Sequence, residues 1–163
     1  MQTEWEKRFG RSYYHFIYRN ALFMVLSSED SIPSHFGRRQ IQYVSQVLQE
    51  NRKVHWTLVF FHKPLWLKEE DTGWRKIEEL LSSRNYTVFV GHLHRYNKYR
   101  RGNHSYYQLA TTGGKSDLSG IEAGRFDQVA WVTVGSDSPR VALLKLDGIL
   151  EDNIRMRDPS SNY

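Results

Sequence analysis

Residues 56–94 read WTLVFFHKPLWLKEEDTGWRKIEELLSSRNYTVFVGHLH. The segment opens with an apolar run, Trp56 to Phe61, of the length and the aromatic and β-branched makeup of a buried strand. Asp71 or Thr72 can then cap a helix whose apolar residues Trp74, Ile77, Leu80 and Leu81 recur at helical spacing. Tyr86 to Val90 is again a short strand rich in aromatic and β-branched residues. A strand, a helix and a strand in this order predict a βαβ crossover, with its two strands parallel in one sheet.

The same grammar extends upstream. Ile41, Val44, Val47 and Leu48 fall at helical spacing between Gly37 and Glu50, behind a polar stretch with Pro33 and a possible N-cap at Ser34. Before it, Tyr13 to Tyr18 and Ala21 to Ser27 read as two strands with Arg19-Asn20 as a tight turn. This predicts a second crossover. Downstream of Gly91 the helices stop. Tyr106 to Ala110, Val129 to Val134 and Val141 to Leu146 read as strands, the last two joined by the turn Gly135-Ser136-Asp137-Ser138-Pro139. The expected architecture is α/β: a mixed sheet with parallel βαβ units, then antiparallel strands. Residues 1–150 form one domain on this reading, and 151–163 a polar, loosely held tail.

Composition narrows the function classes. A chain of 163 residues is long enough for a buried core, and 14% aromatic content in short apolar clusters marks a folded protein. No apolar run approaches the roughly 20 residues needed to span a bilayer. The formal net charge of +5 favours anionic partners without choosing among them. With no cysteine, thiol nucleophiles, disulfides and thiolate metal sites are excluded, so any metal site must use imidazole, carboxylate, amide or water.

The histidines are the residues best placed for chemistry. His62 ends the first strand of the opening segment, and His92 and His94 come after the second, beyond Gly91. Parallel neighbours leave a sheet at the same edge, and ligands of open α/β sheets bind outside the carboxyl ends of the strands. If the chain stays extended from His92 to His94, both rings point to one side, with Cα atoms roughly 6–7 Å apart. Paired metals in phosphoesterase centres lie about 3.5–4 Å apart, so each ring could serve a different ion. His15, His35, His55 and His104 show no such convergence and read as ordinary polar residues.

These residues carry a resemblance. His62 with Pro64 after an apolar strand, and Gly91-His92-Leu93-His94 about thirty residues on, resemble the last two sequence blocks of the calcineurin-like metallophosphoesterases. Tyr13-Tyr14-His15-Phe16, Leu22 to Leu26, Gln40, Ala110-Thr111-Thr112-Gly113-Gly114 and, most closely, Trp56 to Trp66 look like flanking segments of bacterial members. The resemblance runs from about Trp5 to Ile149. It implies part of a four-layer α/β/β/α sandwich and a hydrolase acting on phosphomonoesters or phosphodiesters. It also implies two divalent ions (Mn, Fe or Zn) that activate a water, with His62 and His92 on one ion and His94 on the other.

The family's earlier blocks, Asp-x-His, Gly-Asp-x-x-Asp and Gly-Asn-His, have no counterpart in this chain. They would supply the bridging aspartate, further ligands and the histidine that assists the leaving group, so no general-acid residue is identified. Met1 to Arg11 resembles the family's segment just after the last of these blocks, which suggests that Met1 is an internal methionine. The expected chain is therefore a C-terminal part that holds at most one weakly bound ion and turns over little substrate. A missing half would also expose apolar sheet surface and invite self-association. Localisation stays open: cytoplasmic if Met1 is the true start, otherwise decided by an upstream signal. Glu29 and Asp30, near the same edge, read as solvated loop acids rather than substitute ligands.

Two segments beyond the histidines invite a functional reading. Arg95, Lys98, Arg100 and Arg101, interleaved with Tyr96 and Tyr99, read as a solvated basic loop that could also guide an anionic substrate or contact a nucleic-acid phosphate. Thr111-Thr112-Gly113-Gly114-Lys115 lacks the spacing of a nucleotide-cradling loop; its glycines instead let backbone pass close to the metal edge. The alternatives to a phosphoesterase are a non-catalytic binding or scaffold module on the same fold and, behind it, a basic nucleic-acid-binding domain.

Overall fold

The computed structural model describes residues 2–30, 32–135 and 138–154. In chain order its elements are α1 (Gln2–Phe9), β1 (Tyr14–Tyr18), β2 (Ala21–Val25), α2 (Arg38–Glu50), β3 (Trp56–Phe60), α3 (Trp74–Leu81), β4 (Tyr86–Val90), β5 (Asn97–Arg101), β6 (His104–Gln108), β7 (Val129–Thr133), β8 (Arg140–Lys145) and β9 (Gly148–Glu151). The fold is mixed α/β. A six-stranded mixed sheet has the order β1-β2-β3-β4-β6-β5, and β7-β8-β9 form a second, antiparallel sheet. The chain divides into two compact units, residues 1–89 and 90–163.

In the first unit β1 and β2 form the expected hairpin, with Arg19 at φ 54 in its turn. β2 pairs parallel with β3, and β3 with β4, so both predicted crossovers are present. Strand alternation puts Leu22, Met24, Val59 and Val88 on one face, all buried. The apolar stripes of α2 (Val44, Val47, Leu48) and α3 (Trp74, Ile77, Leu81) are buried as well, and the two helices pack on each other. Each such aliphatic side chain removed from water contributes about 1.5–3 kcal/mol. The opposite face carries an aromatic ladder, Phe16 on Phe23 at 4.8 Å, Phe23 to Phe60 at 6.3 Å and Phe60 on Phe89 at 5.3 Å. On β1 the residues Tyr14, Phe16, Ile17 and Tyr18 are exposed.

Helix starts differ from expectation. The residue before α2 is Gly37, and Ser34 lies outside the helix at φ 60. α3 starts after Gly73, whose φ of 76 needs glycine because a Cβ there would lie 2.6 Å from the Phe36 carbonyl oxygen. Asp71 and Thr72 shape the turn instead, with the Gly73 and Trp74 amides donating to their side chains.

In the second unit β5 and β6 form an antiparallel hairpin in the register Asn97↔Gln108 to Arg101↔His104. This corrects the reading of Arg95 to Arg101 as a loop: from Asn97 to Arg101 the chain is strand. Asn97-Lys98-Tyr99-Arg100-Arg101 lacks apolar alternation, so only the pairing reveals it. β9, also outside the expected strands, is entered through Asp147-Gly148, a turn pair between two apolar runs. It ends at Glu151, and the next residue is held firmly, against the expected loose tail: Asp152 accepts from Lys98 Nζ at 2.7 Å and Tyr107 Oη at 2.5 Å, and its carbonyl from Tyr96 Oη at 2.6 Å. Burial and the Asp152 carboxylate push both phenols above their ordinary pKa. Met1, Ser136 and Asp137 of the expected β7–β8 turn, and residues 155–163 of the tail lie outside the described residues.

Candidate functional site

The first unit positions His62 two residues beyond β3, in an exposed bend. The loops that leave β2 and β3 are tied together there. Leu26 N–H donates to the Phe60 carbonyl at 2.8 Å, the Lys63 amide donates to Ser28 Oγ at 3.2 Å, and Lys63 Nζ reaches Glu29 at 2.7 Å and Ser34 Oγ at 3.1 Å. Pro64 then leads into a single 3-10 turn, Leu65–Leu67, whose Leu65 is buried. His62 therefore sits in a loop whose backbone is fixed on both sides.

Of the two acids at that edge Glu29 is exposed, as expected of a solvated loop acid, while Asp30 is half-buried and engaged, which corrects its reading as solvated. Asp30 Oδ2 accepts from the Gly37 amide at 3.0 Å and from Gln40 Nε2 at 3.1 Å. Gln40, fully buried, also exchanges two hydrogen bonds with the Ser27 backbone, at 2.8 and 3.0 Å. Glu29 is the partner of Lys63. These groups organise the loop between β2 and α2.

The second unit contains Gly91-His92-Leu93-His94, and here the chain is not extended. His92 has φ 72 and His94 φ 50, and the Leu93 amide donates to the Gly91 carbonyl at 2.9 Å. A bond from residue i+2 back to residue i across a central residue near φ +75 is a γ-turn of the rarer, strained hand. Such strain persists only where surrounding structure holds it, and it clusters at functional sites. The two imidazoles thus share a turn, and the strand-rise spacing does not describe them. Both are exposed.

His94 is oriented by a device that has no signature in the sequence. Its Nδ1 lies 2.5 Å from the carbonyl oxygen of Lys115. A carbonyl can only accept, so Nδ1 carries the proton and Nε2 the lone pair. Metal-bound histidines are almost always held in this way by a backbone carbonyl or carboxylate. The 111–115 segment that delivers the carbonyl is itself anchored. Asp127 accepts from Thr111 Oγ1 and, at 3.0 Å, from the Gly113 amide; Thr112 Oγ1 donates to the Gln128 carbonyl at 2.6 Å. The Thr111 hydroxyl and the Gly113 N–H hold the Asp127 carboxyl below its ordinary pKa. A Cβ on Gly114 would lie 3.8 Å from His94 Cε1, so this backbone passes beside the ring.

Some of the remaining histidines and cations have structural roles. His15 Nδ1 is 2.6 Å from Tyr43 Oη. Among the basic residues near His94 in sequence, Lys98 pairs with Asp152 and Arg101 lies over the Tyr106 ring. His62 belongs to one compact unit, His92 and His94 to the other. Among the described residues, no group of three or more His, Asp or Glu is arranged to hold a metal ion, and no helix is long and apolar enough to cross a membrane.

No family model matches the chain, and no curated protein matches it. A solved structure similar to it is that of a conserved uncharacterized protein of Streptococcus pneumoniae, described as a predicted phosphoesterase. The two are 14% identical, with 84% of this chain and 92% of that one covered, at a TM-score of 0.30. A likeness so distant has no bearing on chemistry.

Proposed function

We propose that this chain supplies histidine ligands to a metal-dependent phosphoesterase: His62 from the first unit, His92 and His94 from the second. The observation that carries the reading is the turn at Gly91–His94: a strained backbone at His92 and a His94 ring whose Nε2 lone pair is set by the Lys115 carbonyl. Two dications bring four positive charges that neutral imidazoles do not offset. The carboxylates that let them sit close must therefore come from outside the described residues. When bound, such ions supply an activated water and charge stabilisation for the ester. The chain's own part is to hold imidazoles in fixed tautomers on anchored loops. Its ligand is a phosphate ester, and by itself it holds one ion weakly and hydrolyses little.

The test is metal content after loading with Zn²⁺ or Mn²⁺ and gel filtration, with hydrolysis of p-nitrophenyl phosphate alongside. We expect substoichiometric metal in the wild type, less in His92→Ala and less in His94→Ala. Equal metal content in all three proteins would defeat the assignment.

A second reading, a non-catalytic binding module on the same fold, is favoured by the absence of a three-ligand group among the described residues. It expects no metal retained by the wild type and no hydrolysis with Zn²⁺ or Mn²⁺ added.

A further inference from the structure

Outside the histidine loops, the first unit contains an open pocket of ≈ 780 Å³ lined by residues from the end of α1, the segment before β1, and α2. Its volume is in the range of small-molecule sites. α2 contributes Arg39, Gln42, Tyr43 and Gln46, spaced i, i+3, i+4, i+7 and so on one stripe of the helix. That stripe is distinct from the buried one formed by Gln40, Val44, Val47 and Leu48. Arg11 and Tyr13 line the pocket from the segment before β1.

Several observations say which ligand this pocket would take. Two guanidiniums line it, and among the described residues neither is in an ion pair. Arg38 and Arg39 occupy the first turn of α2, where no acid is present. Positive charge there opposes the helix dipole at a cost of about 0.3–1 kcal/mol. Sequences break a local rule of this kind chiefly at functional sites. The one carboxylate of the lining, Glu6, accepts from Ser12 Oγ at 3.3 Å. The aromatic wall is pre-set: Tyr13 and Tyr43 lie 5.1 Å apart at 58°, and His15 fixes the Tyr43 hydroxyl. Burial raises the Tyr43 phenol while the Arg11 charge pulls it back, so the Arg11 field reaches that wall.

We infer that this pocket binds a phosphorylated nucleoside, its phosphate forked by Arg11 and Arg39 and its flat base against Tyr13 and Tyr43. Guanidinium forks match phosphate geometry, and phenol rings accept a planar base without demanding a particular one. The inference is independent of the proposed metal chemistry.

The test is calorimetric titration of the whole chain in EDTA with ADP, adenosine and inorganic phosphate. ADP should bind saturably and more tightly than either part. Arg11→Ala and Arg39→Ala should each weaken ADP about tenfold, the loss of one charge-assisted hydrogen bond. Glu6→Gln should tighten it, and His62→Ala and His94→Ala should leave it unchanged. These positions are exposed, and matching far-ultraviolet dichroism establishes that the variants are folded. No saturable ADP binding, equal affinity in the Arg11→Ala/Arg39→Ala double variant, or phosphate binding as tightly as ADP would each overturn the proposal. So would loss of ADP affinity on removing His62 or His94, which would place the ligand at the histidine loops.

Discussion

The Nδ1 atom of His94 lies 2.5 Å from the carbonyl oxygen of Lys115, twenty-one residues along the chain. The contact fixes both the ring plane and the proton. Nitrogen-15 correlation spectra recorded above neutral pH should show His94 as the Nδ1–H tautomer, and Zn²⁺ should perturb Nε2 first. A predominant Nε2–H form would contradict the orientation derived from this contact.

His92 carries a side chain at φ 72, where glycine is at ease and other residues are not. His92→Gly should therefore be more stable than His92→Ala by about 1–2 kcal/mol. For a chain of this size that is roughly 2–4 °C in melting temperature per kcal/mol. Equal melting temperatures would mean the turn relaxes without strain.

Gln40 is fully buried and exchanges hydrogen bonds with the Ser27 backbone while also reaching Asp30. Gln40→Ala leaves the half-buried Ser27 amide and carbonyl without these partners, at a cost of about 1–3 kcal/mol. Urea unfolding measures it. A loss under about 0.5 kcal/mol would show that the loop between β2 and α2 is held by other means.

Asp127 is held below its ordinary pKa by the Thr111 hydroxyl and the Gly113 amide. A depressed carboxyl stabilises the fold fully above the unfolded value of about 3.9 and loses that contribution as pH falls through the lower folded value. Protection of the Gly113 amide from hydrogen exchange, corrected for intrinsic rates, should therefore fall off on acidification below about pH 4. In Asp127→Asn that step should vanish. An unchanged acid step in the variant would assign it to another group.

Much of the first unit is readable from residues 13–90. Continuous apolar runs such as Trp56 to Phe61 have few alternatives to a buried strand, and the helices between them show a 3.6-residue period. Parallel pairing of β2, β3 and β4 then follows from the handedness of crossovers, a rule that needs no side-chain detail. The positions of His62, His92 and His94 just beyond strand ends are legible for the same reason.

The features that escape a sequence reading are decided by contacts remote along the chain. β5 is charged and polar along its length, and only its ladder with β6 makes it a strand. Asp152 is anchored by Tyr96, Lys98 and Tyr107, more than forty residues away. The proton on His94 depends on a carbonyl delivered by a loop that Asp127 holds in place. Periodicity and composition record how each segment meets water, so they determined α2, α3, most of the strands and their order. Hydrogen bonds between groups distant along the chain leave no local pattern, and one of these sets which nitrogen His94 offers.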